Sequence, residues 1–171
     1  MKYGIRVWIG FLQLCLGVCC CIGMLLCIPQ LFGMKPMVVL SGSMEPTYQV
    51  GSLLYVREIS FTQVTKGMPV TFTLGDTGAL VTHRAIEVNA QAQTVVTQGD
   101  ANEIPDGKVV DGANIVGTPI GSIPYLGYLA MYLDTTKGKS IAVFLILLIT
   151  VCMGISEYSK QGEKEERNAG K

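Results

Sequence analysis

Two long apolar runs, one at each end of the chain, constrain this sequence more than any other feature. From Val7 to Met34 there is no Asp, Glu, Lys, Arg or His. Its densest part, "VWIGFLQLCLGVCCCIGMLLCI", ends at Pro29. About 20 apolar residues are enough to cross the hydrocarbon core of a bilayer as a helix. The second run, "SIAVFLILLITVCMGIS" (Ser140 to Ser156), sits at the short end of the spanning range. Lys139 and Tyr158 at its two ends are placed to snorkel and close the gap. The rest of the composition agrees. Charged residues make up 15% of the 171-residue chain, against roughly 25% in an ordinary soluble domain. Mean hydropathy is +0.41.

The first run is too long for the h-region of a cleaved leader, and no small-x-small site closes it, so a retained anchor is expected. Lys2 and Arg6 precede the first run, and Lys160, Lys164, Arg167 and Lys171 follow the second. The positive-inside rule then puts both termini in the cytoplasm and the middle of the chain outside, against a weaker opposing bias from Lys35, Lys137 and Lys139. The expected organisation is a cytoplasmic N-terminus (1–6), a membrane helix (7–33), an extracytoplasmic domain (35–135), a membrane helix (138–157) and a charged, disordered cytoplasmic tail (158–171). The chain is expected in the cell membrane as a multi-pass protein, with the lipid bilayer as a partner. All six cysteines lie in the two apolar runs, so the outer domain needs no disulfide. Cys19-Cys20-Cys21 reads as small apolar residues of a helix, since no His or carboxylate stands near to complete a metal site. A formal net charge of +0 and the absence of a basic aromatic patch give no sign of a nucleic-acid partner.

Between the runs, short segments of strand character alternate with turn residues: "MVVL" (37–40), "SLLYVREI" (52–59), "PVTFTL" (69–74), "ALVTHRAIEV" (79–88), "TVVTQ" (94–98) and "ANIVGTPI" (113–120). The fourth and fifth are spaced as a hairpin. The fold class is therefore mainly β: a compact antiparallel β domain flanked by two transmembrane α-helices. "SIPYLGYLAMYL" (122–133) is apolar but interrupted by Pro124 and Gly127. It is too short for a third span and suits a segment lying against the membrane or leading into the second helix.

Three places carry chemistry. "SGSMEPT" holds Ser41 and Ser43, with Pro46 fixing φ just after them. His83, the one histidine of the chain, stands in the longest strand on the face of Val81 and Ala85, opposite Leu80, Thr82 and Arg84. A lone histidine on an apolar face is usually a packing residue. The serine turn and the acidic loop "TQGDANEIPDG" change that weighting. The loop offers Asp100, Glu103 and Asp106, although Gly-Asp and Pro-Asp-Gly are also ordinary turn chemistry. A serine alcohol needs a base to take its proton. Histidine titrates in the range that suits this near neutral pH, and a carboxylate on its far nitrogen would fix tautomer and orientation. Ser43 also lies only about ten residues past the first apolar run, at most roughly 35 Å of chain, which suits a substrate held in the same membrane.

In their order, these motifs resemble the type I signal peptidases, serine proteases that remove signal peptides from translocated proteins. The resemblance covers most of Val38 to Pro124 and the flanking runs. It implies Ser43 as nucleophile, with the Ser41 side chain and the Ser43 backbone N–H as the oxyanion hole. "VTHR" carries His83 where the main bacterial branch has lysine. "QGDANEIPD" resembles the acidic segment of the Ser-His-Asp branch found in endoplasmic reticulum, archaea and spore formers. That implies His83 as base, Asp106 as the acid completing the set, and Asp100 and Arg84 as supporting residues. The substrates implied are signal peptides of secreted preproteins, bound as an added strand and cut at small-x-small sites. The secretion translocon is a further candidate partner, and no metal or cofactor is implied. The departures are Ser52, where the family often has Asp, Met68, also a common Asp position, and Gln98 and Ala101, where Lys and Asn are frequent. Two other readings compete. A repressor-type self-cleaving protease shares a related fold, but no helix-turn-helix segment is present. A non-catalytic membrane scaffold retaining the fold would be marked by loss of Ser43, His83 or the aspartates, and all are present.

Overall fold

The computed structural model describes the backbone of residues 2–75 and 77–169 and the side chains of residues 7–75 and 77–155. The chain divides into two compact units, Leu26–Tyr132 and the two terminal segments Met1–Leu25 and Leu133–Lys171. The terminal segments are helical: α1 (Lys2–Leu31) and α3 (Thr136–Ala169). Each has a window long and apolar enough to cross a membrane, Val7–Leu31 and Thr136–Ile155. Pro29 is accommodated in the last turn of α1. The backbone of α3 runs through Ala169, where the sequence suggested a disordered tail. Glu, Lys, Gln and Arg dominate that stretch and are good helix formers, so charge alone does not end the helix. Lys139 pairs with Asp134 at 2.9 Å, and both side chains are exposed. The flanking charges Lys2, Arg6, Lys160, Lys164, Arg167 and Lys171, and the interfacial Tyr158, lie outside the described side chains.

The middle unit is a seven-stranded antiparallel sheet in the order β1-β2-β7-β3-β4-β5-β6. Its strands are β1 (Met34–Val38), β2 (Leu53–Arg57), β3 (Pro69–Thr73), β4 (Leu80–Asn89), β5 (Thr94–Gln98), β6 (Val110–Asp111) and β7 (Ile115–Ile123). The 79–88 and 94–98 segments do form the expected hairpin, with a register shift between Ala85 and Glu87. β1 begins three residues earlier than the apolar pattern suggested and includes Pro36. Proline has no N–H for a ladder, and β1 tolerates it as the edge strand. β6 is too short to leave a pattern in the sequence.

β7 makes the sheet curl. Ile115 and Gly117 pair with β3, whereas Thr118 to Ile123 pair with β2, with a bulge in each ladder. At the crossing, a Cβ on Gly117 would lie 2.2 Å from the backbone oxygen of Arg57. The core under this curl is Val64, Val70, Phe72, Ala85, Val95 and Val110, with Ile59, Phe61, Met68, Val81, Val88 and Ile115 packed around it. Each fully buried Val or Phe of this kind contributes about 1.5–3 kcal/mol. Met68 thus serves as packing where the family pattern often has an acid.

The segment that contains Pro124 and Gly127 forms a nine-residue helix, α2 (Leu126–Asp134), too short to be a third span. Pro124 precedes it, and Gly127 lies in its first turn because a side chain there would strike the carbonyls of Gly51 and Ser52 at 2.6 and 2.7 Å. The Gly127 N–H donates to Gly51 O at 2.9 Å. Gly51 has φ +81°, and a Cβ on it would fall 2.0 Å from the Tyr128 ring. Helix and turn therefore meet backbone to backbone at Gly127, and the Tyr128 ring covers Gly51. Gly117→Ala should destabilise the domain by about 1–3 kcal/mol, because backbone must move to admit the methyl group. Gly121→Ala, with nothing within 4 Å of the added carbon, should leave the urea midpoint nearly unchanged. Equal midpoints for the two variants would contradict this account of the crossing.

Candidate active site

The turn after β1 is closed at its base by two backbone bonds. Val39 N–H donates to Ser52 O at 3.0 Å, and Gly51 N–H donates to Val39 O at 2.9 Å. Within it, Glu45 N–H reaches Gly42 O at 3.0 Å and Tyr48 N–H reaches Met44 O at 2.9 Å, so residues 42–48 wind as one tight coil. Met44 (3% exposed) anchors its underside. Ser43 is half-buried, and among the described residues its backbone N–H has no acceptor. Beside the turn, Glu45, Pro46, Gln49, Val50 and Tyr125 line an open cavity of about 280 Å³.

His83 lies opposite Val70 in the β3–β4 ladder and is buried, as is Ala85 on the same face. The Phe72 ring and the imidazole form a T-shaped pair, with centroids 6.4 Å apart and planes at 72°. The two ring nitrogens have different partners. Nε2 is 3.1 Å from Ser43 Oγ, and Nδ1 is 2.6 Å from Asp106 Oδ2. Asp106 is itself held twice by Thr97, a fully buried residue of β5. Its N–H donates to Thr97 O at 2.8 Å, and its carboxylate accepts the Thr97 hydroxyl at 2.6 Å. With Nδ1–H facing the carboxylate, Nε2 keeps a lone pair directed at the Ser43 hydroxyl. This order of alcohol, imidazole and carboxylate can remove the serine proton and stabilise the imidazolium that results. Ser41 Oγ is 3.4 Å from Ser43 Oγ and is exposed, so its hydroxyl can turn towards an oxygen bound beside Ser43.

The acidic loop also grips the turn directly. Ala101 N–H donates to Ser43 O at 2.9 Å, and a Cβ on Gly99 would meet that same oxygen at 2.5 Å. The bond uses the backbone, so Ala101 serves as well as Asn at this position. The Gln98 amide donates to Asn102 O at 2.7 Å and closes the loop. Asp100 points away from the imidazole to Arg84, which holds it by Nε (2.7 Å) and Nη2 (2.6 Å) while Nη1 donates to Gly67 O at 2.8 Å. The Thr47 hydroxyl donates to the same carboxylate. The Arg84 hydrogen bonds hold the Asp100 carboxyl below its ordinary range, opposed by burial and helped by Thr47. Arg84 is raised in turn, chiefly by its bond to Asp100. Burial raises the Tyr48 hydroxyl. The network ties the serine turn, the strand of His83 and the acidic loop to one another.

Ser41, Ser43, His83 and Asp106 are thus brought together, and Asp100 with Arg84 forms a second cluster beside them. Glu103 is exposed, and no hydrogen bond joins it to His83. The sequence reading did not single out Thr47, Phe72, Thr97 or the close approach at Gly99. Thr97 did leave a signal: it is a polar residue at an inward position of a strand, flanked by Val95 on the same face. Because the folded carboxyl of Asp100 is depressed, its contribution to stability is full above the unfolded value of 3.8. It is lost as pH falls through the lower folded value. Asp100→Asn should therefore be less stable than the parent chain at pH 7, and urea midpoints of the two should converge on acidification. A gap that stays constant would mean the Arg84 pair does not stabilise the fold.

No family model matches the chain. Curated relatives do. "Signal peptidase I W" of Bacillus subtilis (strain 168) is 38% identical over 90 residues, 51% of this chain and 47% of the relative. "Signal peptidase complex catalytic subunit SEC11C" of Homo sapiens is 32% identical over 107 residues, 57% of this chain and 56% of the relative. "Signal peptidase complex catalytic subunit SEC11" of Saccharomyces cerevisiae (strain YJM789) is 30% identical over 129 residues, 68% of this chain and 76% of the relative. The chain spans about half the length of the first two and three quarters of the third. On this coverage the chain belongs to the type I signal peptidase family, in the branch of the SEC11 catalytic subunits.

Proposed function

We propose that this chain is a membrane-anchored serine endopeptidase that removes signal peptides from secreted preproteins at small-x-small sites. The observation that carries the reading is the pair of contacts made by His83, 3.1 Å to Ser43 Oγ and 2.6 Å to Asp106 Oδ2. The names of the relatives give the substrate class. The signal peptide adds as a strand beside the exposed edge of β1, which runs directly into the serine turn. Both membrane-capable helices span the bilayer, and residues 35–135 face the extracytoplasmic side, within chain reach of a substrate still in the membrane.

Ser43 Oγ attacks the scissile carbonyl while His83 Nε2 takes its proton. The carbonyl oxygen becomes an oxyanion, and the Ser43 N–H and Ser41 hydroxyl donate to it. The C–N bond breaks, the imidazolium gives its proton to the leaving amine, and the mature chain departs with a new N-terminus. The acyl group remains on Ser43. Water, deprotonated by His83, then releases the signal peptide as a carboxylate and restores the hydroxyl. Asp106 keeps Nδ1 protonated through both halves, and Thr97 holds Asp106. Arg84 and Asp100 keep the turn and the histidine strand in register.

Ser43→Ala and His83→Ala should each lower processing of a reporter preprotein in membranes by about 10⁴-fold or more. Processing at the parental rate by either variant would remove the assignment. His83→Lys should also fail, since an amine acts as base only after desolvation has stripped its charge. For the parent chain, kcat/KM should fall about tenfold per pH unit on the acid side, because a protonated imidazole has no lone pair to offer. A flat acid profile would exclude a histidine base.

A further inference from the structure

α2 is apolar from Leu126 until Asp134, yet half of it is uncovered. Gly127 is buried, and Leu126, Leu129, Ala130 and Leu133 are half-buried. Tyr125, just before the helix, is 68% exposed; Tyr128, Met131 and Tyr132 are 55%, 46% and 49% exposed. At about 100° per residue Tyr128, Met131 and Tyr132 lie within one third of the helix circumference, and Tyr125 precedes the helix with φ +61°. Large apolar side chains grouped on one exposed face mark a surface that meets something other than water.

Two observations identify what it meets. Three of the four side chains are tyrosines, which carry an apolar ring and a polar tip and collect where hydrocarbon gives way to headgroups. And α3 begins at Thr136, with only Thr135 between it and the end of α2, and has an apolar window that runs to Ile155. Lys137, exposed in the first turn of α3, supplies a cation for lipid phosphates, while Lys139 beside it pairs with Asp134. We propose that α2 lies in the headgroup region of the bilayer with Tyr125, Tyr128, Met131 and Tyr132 turned into the lipid. This rests on the reading of α3 as a membrane-crossing helix. It has a consequence for the serine. α2 is joined to the closing turn of the Ser43 loop through Gly127 N–H to Gly51 O and the Tyr128 ring over Gly51. The lipid surface then sets the height of Ser43 through a packed contact rather than through a linker.

The full chain carries one tryptophan, Trp8. In a Trp8→Phe background, Met131→Trp and Tyr125→Trp place a probe on the α2 face, and Phe144→Trp places one inside the α3 window. Each is reconstituted into protein-free phosphatidylcholine vesicles, with bromine near the top of the acyl chains or near the mid-plane. The α2 probes should emit to the blue of a water-exposed tryptophan and lose most emission to the shallow bromines, while Phe144→Trp loses most to the deep ones. Deep quenching at 144 with unquenched, water-like emission at 125 and 131 overturns the α2 placement alone, and a protein partner would then be the occupant. An unquenched probe at 144 overturns the membrane-crossing reading and the α2 placement with it. The readout is fluorescence, so failure of the proteolytic mechanism would leave it unchanged.

Discussion

The carbonyl oxygen of Ser43 is the point on which the site depends. It accepts the Ala101 N–H at 2.9 Å and lies so close to Gly99 that a methyl group would not fit between them. A serine on a turn has a mobile hydroxyl, and an imidazole 40 residues away in sequence is useful to it only if backbone fixes the gap. Here the loop that carries Asp106 is pressed onto the turn that carries Ser43. The strand that carries His83 is fastened to the same loop through Arg84 and Asp100. Each contact alone contributes about 1 kcal/mol or somewhat more. Together they close a ring of segments in which no member shifts without breaking a bond elsewhere.

The division of labour between the two aspartates follows from that ring. Asp106 faces the imidazole and is held by a buried threonine; Asp100 faces a guanidinium and keeps a depressed pKa because of it. Both occur within seven residues of one loop, and both look like turn residues in the sequence. Their roles differ because the strand alternation of β4 puts His83 on one face and Arg84 on the other.

Much of this was legible beforehand because it depends on residue type and periodicity. Two uncharged runs gave the helices, alternation gave the face of His83, and turn residues gave the β4–β5 hairpin. What escaped has a physical reason in each case. Gly99 and Ala101 act through backbone, so no side chain marks them. β6 is two residues long, below any periodicity. β1 includes Lys35 and Pro36, polar or imino residues that an edge strand admits and an apolar count rejects. Gly127 interrupts the apolar pattern of α2, and its missing side chain is what lets the helix dock on Gly51. The charge of the tail beyond the second run suggests disorder, whereas its residues are strong helix formers and α3 continues through Ala169.

The central claim is that Ser43 forms a covalent bond to the substrate. It is tested most directly by mixing the full chain in membranes with a preprotein, quenching in acid within one turnover, and mapping the adduct by mass spectrometry. The account predicts a signal-peptide acyl group on Ser43, absent when the quench is delayed until deacylation is complete. An adduct on another residue, or processing that proceeds with Ser43 never modified under conditions where acylation outruns hydrolysis, would contradict it.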